Sequence, residues 1–250
     1  MMAGDINALL ERMRSDLTEL DAAGDARRFF HATYLRTTEA VAAEIVRGGF
    51  GDPDWVSRWD LAFALLYVDN ALGAARAGRP VPGPWAVAFE AATRQPDLPP
   101  LRHVLFGLNA HINYDLPQAL LAVIDPAEFE DAAVIAARAA DHRHIDTVLS
   151  GRVGAEDDEL VAISRVTLVD RLLRPANRAA SRRFLAEARQ KVWRNAFVLD
   201  RARRNGAAAY GAALAELERR CAARVRDLTR SGPVLLRLAR KGFGVLLPGA

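Results

Sequence analysis

The chain has 250 residues, of which 51% are hydrophobic, 26% charged and 7% aromatic, and its formal net charge is +3. That composition belongs to an ordinary globular protein and excludes collagen-like, disulfide-built and disordered architectures. A chain of this length buries enough surface to fold without a metal or disulfide as scaffold.

Apolar residues recur every three or four positions nearly throughout, and alternating runs bounded by turn residues are missing. The reading is therefore all-α: an irregular, orthogonal bundle of about nine helices, forming a single domain over residues 1–250. The first helix runs from Asp5 to Ala22, with Ile6, Leu9, Leu10, Met13, Leu17 and Leu20 on one face, and stops at Gly24. The second spans Arg27 to Arg47 and is closed by Gly48 and Gly49. Asp52-Pro53 opens a third that continues to Ala77. Its run Leu61-Ala-Phe-Ala-Leu-Leu-Tyr-Val68 is apolar on almost every side, which places it at the centre, sheathed by other helices.

Proline-rich connections at Gly78–Pro84 and Pro96–Pro100 flank a short helix from Pro84 to Gln95, and such ordered loops often shape a pocket mouth. A helical segment from Leu101 to Ile124 follows. Beyond Asp125-Pro126, helices are expected at 127–149, 157–173, 176–204, 207–230 and 233–241. The apolar ending Gly242-Phe-Gly-Val-Leu-Leu-Pro-Gly-Ala250 either docks on the bundle or completes a homo-oligomer interface.

Cys221 has no internal partner, and MMAGDINALLERMRSD carries acidic residues where a secretory signal needs an apolar core, so the expected location is the cytoplasm, with no membrane span. Charge is unevenly divided: residues 171–250 hold 19 Lys or Arg against 5 Asp or Glu, and residues 1–170 hold 15 against 26. Two such parts attract each other in a compact fold. The basic C-terminal helices, 176–241, spread their arginines through alanine- and leucine-rich stretches without interleaved aromatics to stack on bases, so no nucleic-acid partner is expected. Only Lys191 and Lys241 are lysines, a usage that, with the abundant alanine, fits a GC-rich bacterial genome.

The densest polar group is Arg102-His-Val-Leu-Phe-Gly-Leu-Asn-Ala-His-Ile-Asn-Tyr-Asp-Leu-Pro117. On a helix, four-residue spacing stacks His103, Gly107, His111 and Asp115 in one stripe. Gly107 costs roughly 1 kcal/mol relative to alanine, which makes sense where something must approach the backbone. His111 and Asp115 are the candidate catalytic pair. The carboxylate can orient the imidazole as a general acid or base, or the two can converge, with His103, on a divalent metal such as zinc. Asp115 also stands two residues before Pro117 and fits the N-cap of a new helix from Leu116.

Asn109 and Asn113 form a second pair on the opposite side, suited to hydrogen-bond a ligand or only neighbouring backbones. His31, Tyr34 and Thr38 share an inward face of the second helix, as Trp59, Asp60, Phe63 and Tyr67 share one of the third. A carboxylate among aromatics requires a raised pKa or a partner such as Arg36. His31, Tyr34, Asp60 and Tyr67 thereby join Asn109 and Asn113 as ligand-binding candidates. Asp141-His-Arg-His-Ile-Asp146 places its histidines on different faces and reads as a solvated helix end. No Gly-x-Ser-x-Gly elbow, phosphate-binding loop, dinucleotide turn, His-Glu-x-x-His pair or Glu-x-x-His di-iron pattern is present.

Several of these segments, Tyr34-Leu-Arg-Thr-Thr-Glu-Ala-Val, Phe50-Gly-Asp-Pro-Asp-Trp, Asp60-Leu-Ala-Phe-Ala-Leu-Leu-Tyr67, Gly107-Leu-Asn-Ala-His-Ile-Asn-Tyr-Asp-Leu-Pro117 and Val192-Trp-Arg-Asn-Ala196, resemble the bacterial family known as domain of unknown function 5995, over a core of residues 28–200. The resemblance implies a single helical domain whose polar core includes Asn109, His111, Asn113 and Asp115, and it brings no established activity. It also implies a frequent glutamine where this chain has His103. The function expected is that of an enzyme handling a small-molecule substrate in a bundle pocket, by His111/Asp115 acid–base catalysis, as in a cofactor-free cyclisation or isomerisation, or by zinc-assisted hydrolysis. The alternative is a non-catalytic binding or scaffold protein whose polar core fixes how the helices register.

Overall fold

The computed structural model describes residues 2–163, 187–232 and 234–249, and every regular element among them is helical. Helix α1 (Met2–Ala22) packs on α2 (Arg28–Val46), which ends at Gly48 in the left-handed conformation (φ 72°). Asp52 caps α3 (Pro53–Tyr67): its Oδ1 accepts from the Trp55 N–H at 2.9 Å, with Pro53 in the first turn. The chain then widens into a π-helical turn, Val68–Gly73, and continues as the short α4 (Ala74–Arg76), so the helix expected from 52 to 77 is one run with a bulge in it.

After α5 (Gly83–Arg94) comes α6 (Pro100–Ala110), a second π-helical turn over His111–Asp115, and α7 (Leu116–Val123). A 3-10 turn at Glu128–Glu130 precedes α8 (Ala132–Ile163), whose first amides, of Ala133 and Val134, donate to Asp131 Oδ1. Helix α8 passes without a break through Gly151 and Gly154, so the separate helices expected at 127–149 and 157–173 are continuous across that point. Each glycine lowers helix stability by about 1 kcal/mol, yet neither brings a proline or a capping side chain that would stop the helix. The rest of the second of those helices, and the start of the one expected from 176, lie outside the described residues. Then follow α9 (residues 187–204), α10 (Ala207–Thr229) and α11 (Val234–Lys241).

Helix α3 is central, as its composition predicts. Trp55, Val56, Ala64 and Tyr67 are fully buried, and α3 packs against α1, α2 and α7, while α2 also meets α6 and α8, and α10 covers α5 and α6. Several arginines hold backbone oxygens at helix ends, where the last carbonyls lack intrahelical donors. Arg203 reaches Leu121 O at 2.9 Å and Ile124 O at 2.8 Å, and Arg102 reaches Leu228 O and Arg230 O, both at 2.8 Å. In the basic C-terminal part, Arg204, Arg220 and Arg224 likewise hold backbone oxygens, those of Pro126, Leu246 and Gly242.

The apolar C-terminal segment docks on the bundle. Asn113 Nδ2 donates to Phe243 O (3.2 Å) while its Oδ1 accepts from Val245 N–H (3.1 Å). Asn195 repeats the pattern two residues on, donating to Val245 O (2.9 Å) and accepting from Leu247 N–H (2.8 Å), and Asn109 adds a bond to Phe243 O (3.1 Å). The period of two is that of an extended strand, and the side-chain amides stand in for a neighbouring strand's backbone. Phe243, Val245 and Leu247 are buried by it. Asn109 and Asn113, expected among the ligand-binding groups, both hold the chain's own tail, and of their amide oxygens that of Asn109 is left without a partner. No helix among the described residues is long and apolar enough to cross a membrane.

Candidate functional site

The site starts from a proline. Pro117 has no N–H to offer the carbonyl four residues earlier, and its ring crowds that carbonyl. The helix meets this by widening: the Leu116 N–H reaches back five residues to His111 O, which makes the His111–Asp115 turn a π-helical one. The two side chains come together across it, His111 Nδ1 lying 2.8 Å from Asp115 Oδ2. Asp115 does stand at the N-cap position of α7, but its carboxylate caps nothing there. It turns inward instead, where Oδ2 also accepts from Trp85 Nε1–H at 2.8 Å.

Aromatic rings enclose the pair, leaving His111 2% and Asp115 1% exposed. The imidazole lies flat on Phe63, with ring centroids 3.6 Å apart and planes 6° apart, and meets the Tyr34 ring edge-on at 4.4 Å. Trp85, Phe30 and Tyr67 complete the enclosure. Burial lowers the His111 pKa against the pull of Asp115, and burial raises that of Asp115 against His111 and Trp85. Because Oδ2 already accepts one N–H from Trp85, the bond across the pair is best made by His111 donating from Nδ1. That leaves the lone pair on Nε2, as in other carboxylate-oriented imidazoles.

His111 Nε2 has no hydrogen-bond partner, and neither do three buried polar atoms of α2 and α3: Tyr34 Oη, whose ring meets His111, Asp60 Oδ2 and Trp59 Nε1. Such groups are rare in folded proteins, and each costs about 1–3 kcal/mol if nothing satisfies it. Burial pushes the Asp60 carboxyl up to about 7, the first of the two resolutions expected for it, with no arginine among the causes. Burial, and then the neighbouring Asp60 charge, hold the Tyr34 phenol well above its ordinary value.

Other expected members are placed elsewhere. His31 is fully buried but complete: Nε2 donates to Met13 O at 2.8 Å, and Nδ1 accepts from the Tyr67 hydroxyl at 3.1 Å. His31 and Tyr67 thus join α1, α2 and α3 and do not present polar atoms to a ligand. Thr38 donates to Tyr34 O within its own helix. His103 stacks on Phe29, with centroids 5.8 Å apart, and lines a separate cleft with Arg27, Phe30, Trp85 and Phe89, about 20 Å³ in volume and large enough for one water. What approaches the backbone at Gly107 is Phe30: a Cβ there would stand 2.3 Å from its ring.

As for the metal expected on His111, Asp115 and His103, no three of His, Cys, Asp or Glu among the described residues gather into a set that could hold one. His111 and Asp115 are each other's partners, and His103 stacks apart from them.

Two members were not foreseen. Trp85, the anchor of Asp115, sits in the short helix between the proline-rich loops, and a lone tryptophan in an apolar helix gives no sign of a polar role. His142, read as part of a solvated helix end, is 1% exposed in the middle of α8, between Trp59 and Trp193. Its neighbour Asp141 accepts from the Gly51 and Asp52 amides, and His144 meets Glu44 at 2.8 Å.

The model of a family of unknown function (DUF5995) matches residues 6–231. The match is longer than the 28–200 core carried by the motifs. It contains every member of the site and stops before the docked tail. No curated protein and no solved structure matches the chain.

Proposed function

The chain belongs to the family of unknown function DUF5995, and from the geometry of its site we propose that it is an enzyme acting on a small organic molecule by acid–base chemistry. The observation that carries this reading is His111 Nε2, a buried basic atom with no partner, on a ring whose other nitrogen is held by Asp115. In the proposed mechanism His111 takes a proton from the substrate at Nε2, and Asp115, itself held by Trp85, keeps the ring in its tautomer and steadies the imidazolium that forms. Asp60, with a pKa of about 7 and its charge felt at Tyr34, supplies a proton or a hydrogen bond, and Tyr34 Oη a further hydrogen bond.

A base and a carboxyl group with a pKa of about 7, both next to Tyr34, suit movement of a proton between two positions of a neutral substrate, the step of an isomerisation or cyclisation. Covalent hydrolysis has less support, since the single cysteine, Cys221, is buried with its thiol pushed well up by that burial. The apolar rings fit an aromatic or aliphatic substrate body.

A suitable probe is 5-nitrobenzisoxazole, a neutral aromatic compound that opens when a base removes its one acidic C–H proton. The expected result is turnover faster than by free imidazole at equal concentration, rising with pH through a pKa below the ordinary histidine value, because burial lowers that of His111. His111→Gln should abolish it, and Asp115→Asn should lower it by about a hundredfold, at the low end for general-base catalysis. If the wild-type protein neither binds nor turns over the probe, the polar core is structural and the scaffold reading takes its place.

A further inference from the structure

His142 completes a feature that the acid–base reading leaves unused. Its Nδ1 accepts from Trp193 Nε1–H at 2.8 Å. Burial, followed by the nearby charges of Arg189 and Arg143, pushes its pKa well below the ordinary value, so the ring is neutral. A neutral imidazole that accepts at Nδ1 carries its hydrogen on Nε2. That N–H is buried and has no partner. The two buried histidines thus have opposite polarity: His111 offers a lone pair at Nε2, and His142 offers a hydrogen.

Trp59 stands beside His142, edge to face at 5.1 Å, 3% exposed and with its own Nε1–H unpartnered. Trp59 also lies parallel to Phe63 at 6.3 Å, and Phe63 carries His111 stacked on it. One aromatic row on α3 therefore links the two unpartnered donors to the base. Two neutral N–H groups call for an acceptor. A carboxylate entering this buried site would lose several kcal/mol of hydration, whereas a carbonyl oxygen loses far less, and the Arg189 guanidinium nearby is already engaged in donating to His142 O at 2.9 Å.

We propose that Trp59 Nε1–H and His142 Nε2–H form a donor pair that receives the oxygen of a neutral carbonyl group, and that the substrate is accordingly an uncharged carbonyl compound with an apolar body. Trp193 acts as a positioning residue, fixing the His142 tautomer. The proposal rests on the acid–base reading for its statement about substrate, but the donor pair can be tested without turnover.

The test compares three ligands of one shape on the wild-type protein: 2-acetylnaphthalene, 2-vinylnaphthalene and 2-naphthoate. Binding is followed by the ¹H–¹⁵N resonances of the tryptophan indoles and the histidine rings. The expected result is that the ketone binds about tenfold or more tighter than the hydrocarbon, about 1.4 kcal/mol, and tighter than the carboxylate. The Trp59 and His142 N–H signals should move downfield with the ketone alone, and Trp59→Phe should erase its advantage over the hydrocarbon. Equal binding of ketone and hydrocarbon would mean that buried water alone satisfies the two donors, and preference for 2-naphthoate would mean an anion site; either overturns the proposal. Turnover of 5-nitrobenzisoxazole by the same wild-type sample reports separately on His111, so loss of one reading does not carry the other with it.

Discussion

His31 and His111 are both sealed inside the bundle, at 0% and 2% exposure, and both lie against aromatic rings. They differ in what their second nitrogen meets. His31 is bonded at both ends, to Met13 O and the Tyr67 hydroxyl. His111 is bonded only to Asp115, and its Nε2 has no partner. Burial of a histidine therefore does not mark a function. A complete set of partners marks a structural role, and an incomplete one, held in place by a neighbour, marks a group kept for something else.

Four measurements would break or sharpen this contrast. The largest effect is expected from Asp60, whose folded-state pKa of about 7 lies above the ordinary 3.8. The folded state keeps a proton that the unfolded chain has released, so the Asp60 contribution to stability is fully present below about pH 4 and is lost as pH rises to about 7, by up to about 4 kcal/mol. The difference in urea stability between the wild type and Asp60→Asn, followed across this range, should show that loss. Next, His31→Ala strands Met13 O and the Tyr67 hydroxyl and leaves a hole, at a cost of about 3 kcal/mol in the same assay.

Asn113→Ala removes the bonds that hold Phe243 and Val245, for about 2 kcal/mol. It should also speed proteolytic clipping of the tail, read by mass spectrometry. Smallest should be His111→Gln, at about 1 kcal/mol or less, because only one nitrogen loses a partner. A cost matching that of His31→Ala would remove the distinction drawn between the two histidines.

Helix periodicity carried most of the architecture. Asp52-Pro53, Gly48 and the apolar run from Leu61 to Val68 fell where their chemistry predicts, and the four-residue spacing of His111 and Asp115 did bring them into contact. What could not be read was pairing at a distance. Nothing local says that Asn113 meets a backbone 130 residues away, or that Tyr67 turns its hydroxyl to His31 instead of to a ligand. His142 was misjudged for a related reason. The sequence around it has apolar residues on several sides, so which face is buried is decided by Trp59 and Trp193 on other helices. Gly107 was a correct signal with the wrong partner: close approach was needed, by Phe30.

The π-helical turn at His111–Asp115 makes this stretch unusually sensitive to length. Such a turn is equivalent to one residue added to an α-helix. Removing Ile112 would take out that added residue, so the flanking helices would keep their phase while Pro117 would be left to crowd the carbonyl of an ordinary α-helical turn. His111 and Asp115 would then stand three residues apart instead of four across the wide turn, so one lost codon would disturb the pair while leaving the helices on either side in place.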